Sequence, residues 1–271
     1  MERPEGFQEI KFTGDFRATQ REAALANMRA ACQRNLPAIK DMKRPHGRTM
    51  VLCGSGPSLK TQLNNLREYV SRSDCDIWTV NEGHDWLINE GITPGVVVYI
   101  EVAPWGDDPL FQKESPHTVY CISSAADPSV FDHLSGRNVV LWHAWHGIGE
   151  DKLLDELGKP YALVYGGCTP ALRAIHLGVV VGYRNFSLFG MESSYETNSH
   201  VMRDDERQSW AESQIMEVWC GGRMFKTKPY LAKQAHDFNL FLNRYGHLFS
   251  FTVHGDGLLP HMYRSTRNPG N

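Results

Sequence analysis

The segment from Val51 to Lys60, VLCGSGPSLK, joins a short apolar run to a helix-like stretch through Gly-Ser-Gly-Pro-Ser. Thr49 to Cys53 suit a buried strand, and Gly54 and Gly56 permit backbone angles and close approaches that a Cβ blocks. Ser58 can cap the helix that follows. A helix N-terminus behind a glycine turn attracts anions, because its unpaired N–H groups and positive dipole end point into the loop. The segment matches neither GxxxxGKS/T, since no Lys-Ser or Lys-Thr follows in register, nor GxGxxG, since the third glycine is absent. A phosphate loop and a tight turn without ligand both fit it.

The rest of the chain repeats this alternation. Strand-length apolar runs are expected at Cys75 to Val80, Val96 to Ile100, Thr118 to Ile122, Asn138 to Trp142, Ala162 to Tyr165, Phe186 to Phe189 and Phe249 to Val253. Helices are expected over Leu59 to Val70, Glu82 to Glu90, Thr169 to Val181 and Pro229 to Tyr245, and a hairpin over Gln214 to Thr227 turning at Gly221-Gly222. Near-continuous apolar strands between helices predict an open, mainly parallel, doubly wound Rossmann-like sheet with helices on both faces. Asp15 to Leu36 has apolar residues at helical spacing. The division expected is therefore a helical extension over 1–48, packed on the main domain or on a partner chain, and a nucleotide-binding catalytic domain over 49–271. A homo-oligomer is compatible with such a helix.

Of the 271 residues, 41% are hydrophobic, enough for a real core, and the net charge of −3 gives no global basic field for nucleic acid. Lys40, Lys43, Arg44 and Arg48 form one local basic run. The six cysteines show neither a CxxC pair nor zinc-site spacing, so reduced thiols and no metal are expected. Met1 to Gly14 lacks the apolar core of a signal peptide and no run approaches about 20 apolar residues, so a cytoplasmic protein without membrane contact is expected.

In an open parallel sheet, ligands bind beyond the carboxyl ends of the strands. The residues there are Gly54 to Ser58, Asn81 and Glu82, Glu101, Ser123 and Ser124, His143 and His146, Gly166 to Thr169, and Gly190 to Tyr195. Asn81 can bond a base or ribose, or cap the next helix. Glu101 can hold a metal, a ribose hydroxyl or a substrate amine, or form a salt bridge at the sheet edge. Gly166 and Gly167 with Thr169 make a second glycine turn at a helix start. In GMESSYETNSH, Glu192, Tyr195 and His200 are the candidate catalytic groups, with His200 the candidate base because imidazole titrates near neutral pH. A serine hydrolase is disfavoured by the absence of GxSxG.

GSGPSL, TVNEG, HDWLINEGITPG and GGCTPALRAIHLGVVVGYRNFSLFGMESSY together resemble the domain shared by motility-accessory-factor flagellin glycosyltransferases, archaeal 6-hydroxymethylpterin pyrophosphokinases and bacteriophage relatives. The phage-type resemblance extends through GRMFKTKPYLAKQAHDF to HGDGLLP. The small bacterial sialyltransferases show a related order of signals. The resemblance implies that Gly54, Ser55, Gly56, Pro57 and Ser58 hold the donor's phosphate and that Asn81 contacts its ribose or base. Gly167 and Thr169 would close the other side, with His200 and Tyr195 beside the leaving group. Many relatives have Asp where this chain has Glu101 and Glu192.

Three functions follow from these readings. The first is a glycosyltransferase passing a sugar from a nucleotide-sugar donor to a hydroxyl acceptor, which could be a glycan, a protein, a small molecule or a modified DNA base; its need for a divalent metal is left open. The second is an ATP- and Mg²⁺-dependent pyrophosphokinase acting on a heterocyclic alcohol, with Glu101, Asp107 and Asp108 as its supply of carboxylates. The third is a non-catalytic phage protein that binds nucleotide or nucleic acid.

Overall fold

The computed structural model describes residues 18–39, 44–104, 110–113, 115–158, 160–195 and 215–267. The chain forms α1 (Ala18–Gln33), β1 (Thr49–Cys53), α2 (Ser58–Thr61), α3 (Leu63–Val70), β2 (Cys75–Val80), α4 (Gly83–Asn89), β3 (Val96–Tyr99) and β4 (Val119–Ser123). It continues through α5 (Pro128–His133), β5 (Val139–Ala144), α6 (Glu150–Glu156), β6 (Leu163–Val164), α7 (Pro170–Val180) and β7 (Asn185–Phe189). Last come β8 (Met216–Cys220), β9 (Arg223–Thr227), α8 (Pro229–Tyr245), β10 (Ser250–Val253) and α9 (Leu258–Arg267).

Eight strands make one parallel sheet in the order β10-β7-β1-β2-β3-β4-β5-β6, and β8 and β9 form a separate antiparallel hairpin. The architecture is the Rossmann-like α/β fold expected from the strand pattern. From β1 the chain steps outward one strand at a time to β6, then crosses back to place β7 on the other side of β1. Strand order therefore reverses at β1, and the crevice that accepts ligands in such sheets opens above it.

The strands read as apolar throughout because both faces are covered. On β1, Val51 and Cys53 pack with Leu59, Leu66 and Leu87 of α2, α3 and α4. Met50 and Leu52 face the opposite layer, with Leu172, Ile175 and Leu177 of α7 and Phe238 of α8. Toward the β5 edge, Ala24, Met28 and Cys32 of α1 pack with Ala125, Leu153 and Leu154. The connector after α1 pairs with β5: Leu141 N–H donates to the Pro37 carbonyl (2.7 Å) and Ile39 N–H to the Leu141 carbonyl (2.9 Å).

Three details differ from the sequence reading. The helix expected over 59–70 is broken at Gln62 into α2 and α3, and Ser58 does not cap it: Pro57 holds the cap position without a side-chain bond. The Ser58 hydroxyl is instead drawn to the Glu192 carboxylate. Helices α5, α6 and α9 were not expected. For α5 a local signal was present, since Asp127 accepts from Ser129 N–H (3.0 Å) ahead of a first-turn proline.

Candidate functional site

The loops at the carboxyl ends of β1, β2, β3 and β7 enclose a cavity of about 310 Å³. Its lining includes Gly54 to Pro57 after β1, Asn81 and Glu82 after β2, Glu101 beyond β3 and Gly190 to Tyr195 after β7. Thr169, Pro170 and Ala171 at the start of α7 and Tyr230 and Gln234 of α8 complete it. A second cavity of about 630 Å³ adjoins it and shares Glu101, Thr169 and Pro170. The second is lined by Trp145, His146, Gly166 to Cys168, Arg173, Lys233 and Asp237, among others. Both volumes suit small-molecule ligands.

The glycine loop is built around a carboxylate. Glu192 is 3% exposed, and a Cβ on Gly56 would fall 1.6 Å from its Oε2. Gly255 and Gly257, from the HGDGLLP segment, close on the same side chain: a Cβ on them would stand 2.6 Å from Oε1 and 2.4 Å from the Glu192 Cβ. The loop amides are also committed, Gly54 N–H to the Phe189 carbonyl and Gly56 N–H to the Gly190 carbonyl, both at 2.8 Å. The glycines thus answer first to the protein's own β7 loop. The start of α9 pins that loop, with Leu259 N–H donating to the Glu192 carbonyl (2.9 Å) and Leu258 N–H to Ser194 Oγ (3.0 Å).

Asn81 adopts a left-handed conformation (φ 45°), which an Asn tolerates better than most residues. It stands one residue before the Glu82 cap of α4, and its buried Oδ1 has no protein partner. Water reaches Glu101, yet the cleft walls desolvate its carboxyl and raise its pKa; Asn81 opposes that rise and the negative charge of Glu82 adds to it. Burial and a hydrogen bond with Tyr230 raise the Tyr195 phenol. Lys228 lies 5.7 Å over the Tyr195 ring.

At the junction of the two cavities, Thr169 caps α7 by accepting from Leu172 N–H (3.4 Å). Gly166 and Gly167 take left-handed angles (φ 85° and 76°) and line the larger cavity, not the smaller one. His143 is buried against Ser124 (2.8 Å) and held neutral by desolvation, its pKa pushed down to about 4. His146 is held by its loop, where buried Glu150 accepts from the His146 (2.6 Å) and Ile148 (2.9 Å) N–H groups.

The structure gathers Gly54, Ser55, Gly56, Pro57, Asn81, Glu101, Thr169, Glu192 and Tyr195 around one cavity, with Ser58 behind Glu192. His200, Asp107 and Asp108 lie outside the described residues. Tyr230, Gln234 and Arg173 were not foreseen. Tyr230 and Gln234 sit four apart on α8, the spacing that puts both on one face of a helix. Among the described residues no group of three or more His, Cys, Asp or Glu side chains is placed to hold a metal, and no helix is long and apolar enough to cross a membrane.

Residues 22–198 match the model of the family described as 6-hydroxymethylpterin diphosphokinase MptE-like. The chain belongs to this family. No curated protein matches it significantly. Among solved structures, the MptE-like chain is similar to the Maf glycosyltransferase from Magnetospirillum magneticum AMB-1, with a TM-score of 0.62 at 16% identity. The match covers 88% of this chain and 37% of that one, so the MptE-like chain spans well under half of the larger protein. At that identity the likeness is one of fold. Both are descriptions of group-transfer enzymes.

Proposed function

We propose that the chain is a glycosyltransferase that moves a sugar from a nucleotide-sugar donor to a hydroxyl acceptor. The observation that carries this reading is the lining of the smaller cavity. Its described polar side chains are carboxylates, amides, hydroxyls and phenols, with no Lys, Arg or His among them. Sugar hydroxyls both donate and accept, and such a lining matches them; a triphosphate brings more negative charge toward Glu82, Glu101 and Glu192 than the diphosphate of a nucleotide sugar does. In this reading Gly54 to Pro57 and Asn81 hold the nucleotide and Thr169, at the start of α7, faces its diphosphate. The acceptor enters through the larger cavity.

Glu101 borders both cavities, and desolvation raises its pKa, which makes its carboxylate a stronger base than an ordinary one. The acceptor oxygen attacks the anomeric carbon, the bond from that carbon to the phosphate oxygen breaks, the nucleoside diphosphate leaves, and Glu101 receives the acceptor's proton. Tyr195 and Glu192 shape the site. His200→Ala tests the competing assignment: if it abolishes transfer while Glu101→Gln does not, His200 is the base.

A diphosphokinase using ATP and Mg²⁺ is the second reading, supported by the proximity of Glu82 and Glu101 and by the family's description. Thermal stabilisation separates the two. A shift with a nucleotide sugar in the presence of EDTA supports glycosyl transfer, and a shift with ATP only when Mg²⁺ is added replaces it with the diphosphokinase. No response to any nucleotide removes both and leaves a binding role.

A further inference from the structure

The larger cavity contains a buried cation that the donor reading does not use. Arg173 of α7 is 9% exposed and borders the cavity. Its Nη1 donates to the Val164 carbonyl at 2.9 Å, one use among the five N–H donors of a guanidinium. No ion pair among the described residues involves it. Desolvation lowers its pKa to about 10, opposed by the charge of Glu150, so it remains protonated at neutral pH. A buried charge without an ion partner is costly, and an anionic ligand relieves that cost.

The other charges around the cavity do not supply the missing partner. Glu150 accepts from the His146 and Ile148 amides and reaches Arg173 only through its charge, without an ion pair among the described residues. Lys233 and Asp237 pair with each other, Nζ lying 2.7 Å from both carboxylate oxygens. His146 is kept neutral, its pKa pushed down to about 4 by burial and then by Arg173 itself. Glu101, on the wall shared with the smaller cavity, is perturbed by Asn81 and Glu82 and not by Arg173. The cavity thus offers one desolvated guanidinium to an incoming anion, with Glu101 on the wall it shares with the smaller cavity.

We propose that the larger cavity selects an acceptor carrying a carboxylate or a phosphate, which docks on the Arg173 guanidinium and so presents its hydroxyl toward Glu101. This rests on the assignment of the smaller cavity to the donor. A guanidinium suits such a group because its planar fork bonds both oxygens at once, which a lysine cannot do. Trp145, in contact with Tyr165 at 5.3 Å between ring centroids, gives the cavity one aromatic wall.

Calorimetric titration of the full chain with 4-hydroxybenzoate, its neutral isostere 4-hydroxybenzamide and inorganic phosphate tests the proposal, with and without a saturating nucleotide sugar. Expected are binding of the two anions with the donor site filled, binding of the amide weaker by about tenfold or more, and loss of the difference in Arg173→Met. If Arg173→Met does not fold, Arg173→Lys keeps the charge and removes the fork, and the anion affinities should still fall several-fold with the nucleotide response unchanged. Equal binding of acid and amide by the wild type overturns the proposal, as does anion binding abolished by the nucleotide. Anion binding on Arg173 in a protein that responds to no nucleotide would sustain the anion site and refute the donor assignment instead.

Discussion

Replacing Gly56 with alanine isolates the contact around which the glycine loop is built. Gly56 does not lie in the left-handed region, so alanine adds no backbone strain and the variant reads contact alone. The new Cβ would stand 1.6 Å from Glu192 Oε2 and 2.7 Å from the Gly190 carbonyl oxygen. Glu192 has little room to retreat, since Gly255 and Gly257 close on it from the other side. Overpacking costs about 1–3 kcal/mol, and losing the charged hydrogen bond to Ser58 about 1.5–3 kcal/mol. Together these amount to about 3–5 kcal/mol, a fall in Tm on the order of 10 °C for a chain of this size. Glu192→Ala removes the obstructing carboxylate, so the double variant should be more stable than the sum of the two losses by about 2 kcal/mol, the residue being the clash with Gly190. Urea unfolding of the four proteins measures this. If the two penalties add to within about 0.5 kcal/mol, Glu192 does not fill the loop and the account of Gly56 is wrong.

Three further outcomes are expected. Glu101→Gln should lower kcat by about 10²-fold or more with donor affinity retained, and the wild-type rate should fall with acid through a pKa above the ordinary carboxylate range, because the base must be ionised; a pH–rate profile of kcat/KM reads this. Burial pushes His143, His146 and His176 each down to about 4. The unfolded chain therefore binds more protons below about pH 6.5, and stability that is full above that pH drains away down to about pH 4, by up to about 1.4 kcal/mol per pH unit for each histidine. His143→Asn should flatten that slope in urea titrations, and an unchanged slope would mean that His143 is not held neutral. Met28→Ala, at a position with 0% exposure, should cost about 2–5 kcal/mol in a single transition with the sheet; a separate early transition in calorimetry would show that α1 melts on its own.

The fold was legible because burial on both faces leaves an unmistakable trace in the strands. Val96 to Tyr99 and Phe186 to Leu188 have almost no polar residue to obscure their assignment, and the Pro229–Tyr245 helix carried a proline at its start and a glycine after its end. Short helices gave less. Six residues of α5 and seven of α6 are too few to display a period of 3.6, and only the Asp127-Pro128 pair announced the first of them. The split at Gln62 had no local signal either, since no proline or glycine marks it.

The candidate site was legible where it depends on chain direction and hidden where it depends on packing. A parallel sheet places every strand-to-helix loop at one end, so Gly54 to Pro57, Asn81, Glu101 and Glu192 could be drawn together from strand ends alone. Nothing in the local sequence could say that Gly56, Gly255 and Gly257 surround Glu192, 63 residues from the nearer glycine of HGDGLLP, because that is a fact of tertiary contact. The same holds for Arg173. In the sequence it is, with His176, one of two polar residues inside an otherwise apolar helix, where a charged side chain is expected to turn toward solvent. The seam between α7 and β6 instead buries it against the Val164 carbonyl and opens it toward the cavity. A cation kept at that cost, on the helix whose first turn forms the junction of the two cavities, joins the acceptor wall to the donor wall through one rigid element. Misplacing α7 should therefore disturb both substrates together, whereas altering Arg173 alone should disturb only the one that carries the anion.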